Sequence, residues 1–70
     1  MYRFLVIVEK ADDNYSAYSP DLPGCVATGK SREEAEERMH EAIELHIAGL
    51  REDGLQIPES RSLAIYVAVL

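Results

Sequence analysis

Cysteine occurs once in these 70 residues, tryptophan not at all, proline three times and glycine four times. With Cys25 alone there is no intramolecular disulfide, and no Cys/His group has the spacing of a structural zinc site. Long hydrophobic runs are missing too. Phe4–Val8 and Leu63–Leu70 stay far below the roughly 20 apolar residues that span a bilayer, so no membrane association is expected. Glu9, Lys10, Asp12 and Asp13 follow the first run where a signal peptide would have a longer apolar stretch and a small-residue cleavage site. Met1–Glu9 therefore reads as folded structure and the protein as cytoplasmic, in agreement with its lone thiol. Positive charge is scarce: 7 Lys and Arg stand against 13 Asp and Glu, a net charge of −6. That balance argues against a stand-alone binder of nucleic acid, whose affinity rests on neutralising phosphates. It favours a protein partner, and a basic one.

What is present is a core. Hydrophobic residues make up 47% of the chain, enough for one small domain over residues 1–70 and too many for a disordered tail. A chain this short buries only roughly 60% of its unfolded surface, so tight packing or self-association has to supply what disulfides and metals do not. Tyr2–Glu9 reads as a first strand, Ala11–Asn14 as a turn, and Asn14–Ser19 as a second strand, antiparallel to the first. Pro20-Asp21-Leu22-Pro23-Gly24 leaves the sheet, with Pro23-Gly24 suited to the centre of a type II turn. Cys25–Thr28 is a short third strand. Ser31-Arg32-Glu33-Glu34 matches a capping box, and Ala35, Met39, Ala42, Ile43, Ile47 and Leu50 recur at helical spacing. Carried to Asp53 and capped by Gly54, the helix is about 22 residues or roughly 33 Å long; Gly49 offers an earlier end or a bend. Leu63–Val69 reads as a fourth strand. The order β-β-β-α-β describes an α+β fold, a four-stranded mixed sheet with one helix on one face. The fourth strand lies parallel to the first, at the edge.

The strand patterns carry a consequence for assembly. Tyr2, Phe4, Val6 and Val8 oppose Leu5 and Ile7, while Leu63, Ile65, Val67 and Val69 oppose Ala64, Tyr66, Ala68 and Leu70. Both sheet faces are apolar, and one helix covers only one of them. Short loops and tyrosines shielding the second face would be the bland solution. The reading adopted is a homodimer or higher oligomer, with Leu5, Ile7, Tyr66 and Leu70 carrying self-association.

Candidates for chemistry are few. Cys25 would be a nucleophile beside a histidine, but His40 and His46 lie on the helix, and Cys25 alone behaves as a small hydrophobe. His46, near the middle of the apolar stripe, reads as a packed residue. Asp12, Asp13 and Asp21 are hard-cation ligand types without a calcium-loop pattern, and read as solvated turns. Glu33, Glu37, Glu41 and Glu44 form an acidic stripe on the outer helical face. It is either a plain solvated face or a surface that steers a basic partner. No catalytic, cofactor-binding or metal-binding residue is assigned.

Tyr18-Ser19-Pro20-Asp21-Leu22-Pro23-Gly24-Cys25-Val26-Ala27-Thr28-Gly29, followed by Ser31-Arg32-Glu33-Glu34-Ala35, resembles the signature of the HicB-like antitoxins of toxin–antitoxin pairs. The likeness continues through Glu41-Ala42-Ile43-Glu44-Leu45 and Asp53-Gly54 to Ile57-Pro58, departing at Pro58-Glu59-Ser60, where many relatives have a second proline. The resemblance implies a partial ribonuclease H-like fold. It also implies neutralisation of HicA, a small toxin with a double-stranded-RNA-binding fold that cleaves mRNA through a histidine. Many relatives add a C-terminal DNA-binding domain. Nothing up to Leu70 corresponds to it, so a short form without direct nucleic-acid binding is expected. Ribonuclease H catalysis holds metals between carboxylates of the first strand, the helix and the fourth strand. Phe4–Val8 and Leu63–Leu70 contain no acid, so the expected protein is not an enzyme. The alternative is an orphan oligomeric structural or small-ligand-binding domain without a toxin.

Overall fold

The computed structural model describes residues 2–70; Met1, included above in the folded N-terminal segment, lies outside them. The fold is α+β. Strands β1 (Ile7–Lys10), β2 (Tyr15–Tyr18) and β3 (Val26–Gly29) form an antiparallel meander in the order β1-β2-β3, and helix α1 (Arg32–Glu52) follows. Ile7 pairs with Tyr18 and Tyr18 with Val26; at the other end Lys10 pairs with Tyr15 and Tyr15 with Gly29. Alternation then sorts the side chains. Val8, Tyr15, Ala17 and Ala27 turn to the helix, while the Ile7–Tyr18–Val26 row crosses the outer face.

Each connection follows its local chemistry. The Cys25 N–H donates to the Leu22 carbonyl at 3.1 Å across Pro23-Gly24, and Gly24 takes φ +82°, as a type II turn requires. Ser31 caps α1, its Oγ accepting from the Glu34 N–H at 3.1 Å. The Glu34 carboxylate accepts in return from the N–H of Lys30 at 2.8 Å, one residue earlier than a capping box places it. At the far end the Gly54 N–H donates to the Arg51 carbonyl and the Leu55 N–H to the Leu50 carbonyl, with Gly54 at φ +69°. This is the Schellman pattern. Gly49 neither ends nor breaks the helix.

The core is Ala17, Leu22, Cys25, Ala35, Met39 and Ile47, with Phe4, Val6, Ile43, Leu50 and Ile57 packed around it. Leu22 is fully buried at 0% exposure. The segment that must leave the sheet therefore folds back as a plug under the helix, with its two prolines directing the chain around the leucine.

Two expectations are corrected. The first strand is Ile7–Lys10 rather than Tyr2–Glu9, because residues 2–6 join no ladder. The fourth strand does not form, and the sheet is three-stranded and wholly antiparallel rather than four-stranded and mixed. Leu63–Leu70 runs on as a tail outside any helix or ladder, with Leu63 at 85% and Val69 at 87% exposure. A strand is defined by its ladder, and the tail forms none, although Ser62, Leu63 and Ala64 at its root share a cavity with residues 2–6. β1, expected inside the sheet, is its free edge.

Candidate functional site

Two surfaces gather the residues singled out in the sequence. The first is the outer face of α1. Glu33, Glu37, Glu41 and Glu44 are all exposed there, held in line by a helix that is regular through 21 residues. Glu44 lies 3.7 Å from His40, an ion pair only when the imidazole is protonated, whereas Glu33, Glu37 and Glu41 join no ion pair among the described residues. Arg32 neutralises Glu36 at 3.4 Å and Arg38 reaches Glu34 at 3.7 Å, so the local cations are spent on neighbouring acids. Such exposed pairs contribute little stability. Their effect is to leave a row of three uncompensated carboxylates.

The second surface lies along β1. An open groove of about 650 Å³ runs between Tyr2, Phe4, Val6 and Val8 on one side and Met39, Ile43 and Ile47 of α1 on the other. Its end is closed by Arg51, whose guanidinium sits 5.5 Å from the Tyr2 ring centroid, while Tyr2 stacks on Phe4 at 6.4 Å. The groove floor is apolar because alternation along residues 2–8 meets the i, i+4, i+8 row of the helix. Leu5 and Ile7, on the opposite side of the same stretch, are half-buried. Tyr66 and Leu70 are not with them. Both are fully exposed in the tail, so the structure does not bring the four expected self-association residues together within one chain.

The sequence reading missed the part played by Asp21. It lies in the expected turn and is partly exposed, but it also holds a distant segment. Its Oδ2 accepts from the backbone N–H of Ser62 at 2.9 Å and of Arg61 at 3.0 Å, and its Oδ1 from Ser62 Oγ at 2.9 Å. The Ser62 N–H, foremost among these donors, draws the Asp21 carboxyl below its ordinary value of 3.8, while burial works the other way. One side chain in the loop thus fastens the root of the tail. The available signal was an aspartate between two prolines, where backbone donors are few.

Other candidates stay quiet. Cys25 is buried and burial pushes its thiol up, away from the reactive thiolate. His46 is half-buried on α1 and His40 is exposed. Among the described residues no three His, Cys, Asp or Glu side chains converge as a metal site, and no helix is long and apolar enough to cross a membrane.

Residues 4–69 match a family described as the HicB-like antitoxin of bacterial toxin–antitoxin systems. A UPF0150 protein of Helicobacter pylori is 41% identical over 59 residues, covering 84% of this chain and 82% of its own. A UPF0150 protein of Synechocystis is 34% identical over 71 residues, covering 100% of this chain and 90% of its own. An uncharacterized 14.9 kDa protein from the rep–hol intergenic region of Haemophilus phage HP1 is 37% identical over 62 residues. The match covers 89% of this chain but only 47% of that relative, so the chain spans about half its length. No solved structure matches the chain.

Proposed function

Since the chain belongs to the HicB-like antitoxin family, we propose that it binds and neutralises a HicA-type, mRNA-cleaving toxin by occlusion, without chemistry of its own. The observation that carries this reading is the family match over residues 4–69. The exposed row of Glu33, Glu37 and Glu41 supports a basic partner, because unpaired carboxylates on a rigid helix attract opposite charge during encounter. Glu44 extends the same row. The setting is the cytoplasm, where a toxin acting on mRNA would be met, and nucleic acid is not a direct ligand of this chain. A strand added at the free edge of β1 would complete the partial ribonuclease H-like sheet that the resemblance implies, and the β-β-β-α order is consistent with it.

The test is association with a HicA-type protein encoded beside the gene. Co-expression and pull-down should recover the pair; failure to recover it leaves the orphan domain. Replacing Glu37 and Glu41 by Lys should lower the association rate on the order of tenfold at low ionic strength, with the difference shrinking as salt is raised. An unchanged rate at low salt would remove the helix face as the docking surface.

A further inference from the structure

We infer that residues 63–70 of one copy add as a strand to the free edge beside β1 of a second copy, reciprocally, so that the functional unit is a strand-exchanged dimer. Four observations meet here. The tail is apolar on both alternate sides yet exposed along its whole length: Leu63, Ile65, Tyr66, Val67, Val69 and Leu70 all lie in solvent. A soluble chain seldom leaves a continuous apolar segment uncovered. The receiving edge of β1 has no ladder partner, and with the segment before it matches the tail in length. Residues 2–8 span about 23 Å extended and residues 63–70 about 26 Å, and the groove of about 650 Å³ against α1 is open beside them. The tail's root is fixed as well, because Asp21 holds the backbone of Arg61 and Ser62; Leu63 and Ala64 then share a cavity with residues 2–6, and every residue from Leu63 on is exposed. The radius of gyration, 13.6 Å, exceeds the roughly 11 Å of a compact chain of this length.

The occupant is a second copy because the complementary strand is present in the chain but does not reach its own groove. The alternation assigns the two sides. Leu63, Ile65, Val67 and Val69 fill the groove against Phe4, Val6, Met39 and Ile43. Ala64, Tyr66, Ala68 and Leu70 lie with Leu5 and Ile7 on the face the helix leaves bare. Each subunit gives a tail and receives one, the closed arrangement that a two-fold axis permits. None of this rests on the toxin reading, so a monomeric result would leave that reading standing.

The test uses the full chain. Sedimentation at micromolar concentration should give twice 7.8 kDa. In an equal mixture of isotope-labelled and unlabelled protein, half-filtered NOE spectra should connect the Ile65 and Val67 methyl groups to the Phe4 ring of the other subunit. Ile65→Lys/Val67→Lys, which would bury two charges, should raise the dimer dissociation constant roughly a hundredfold or more while helical circular dichroism is retained. A particle of 7.8 kDa for the unmodified chain, tail contacts found only within one subunit, or a double variant that stays dimeric would each overturn the inference.

Discussion

Gly29 ends β3 where the first turn of α1 crosses it, and a Cβ built there would overlap backbone atoms of Ala35 and Glu34. These are main-chain neighbours and have no rotamer to change. Gly29→Ala should therefore separate strand from helix and cost about 2 kcal/mol or more, read as a lower urea midpoint with an unchanged slope. Sequence spacing placed this glycine at the strand end without showing that a helix lies against it. Leu22 was hidden for a related reason. Between two prolines it reads as loop, and only the folded-back path of the chain makes it the most deeply buried leucine.

Among the elements, α1 was the most legible, since a capping serine, an apolar row and a terminal glycine all act within a few residues of one another. The structure returns it over Arg32–Glu52 with both ends capped. Ser31→Ala removes the acceptor for the Glu34 N–H and should cost about 1 kcal/mol, seen in a thermal melt as a lowered midpoint with unchanged helical content at low temperature. The strands were legible in order and direction but not in extent. A strand's length depends on its neighbour: Tyr2–Val6 has the composition of a strand and lacks the ladder, and Leu63–Val69 likewise. The acidic row survived intact from sequence to structure because helical periodicity alone determines it. The four self-association candidates are divided within one chain, Leu5 and Ile7 in the body and Tyr66 and Leu70 in the tail.

For the molecule as a whole, the shortage of internal staples is met by a compact half and an unfilled half. Leu22, Met39 and Ile47 make one core beneath the helix, and the groove along β1 is where the remaining apolar surface gathers. Acid acts at the join between them. The Asp21 carboxyl is held below 3.8 in the folded chain, so its stabilising contribution is complete above that value and is lost as pH falls through the lowered one. Proton titration followed at the Arg61 and Ser62 amides should show both resonances shifting together below about pH 3.8, and Asp21→Asn should abolish that step. The fastening has a further consequence for the joining of copies proposed above. A strand handed from one chain to the next closes into a pair only when every donor is aimed back at its own acceptor; with a loose aim the same contact propagates head to tail without end. In the exchange proposed above, the three hydrogen bonds that Asp21 accepts at the base of the tail are what would aim each donor, so loss of that grip favours the open, head-to-tail form over the closed pair.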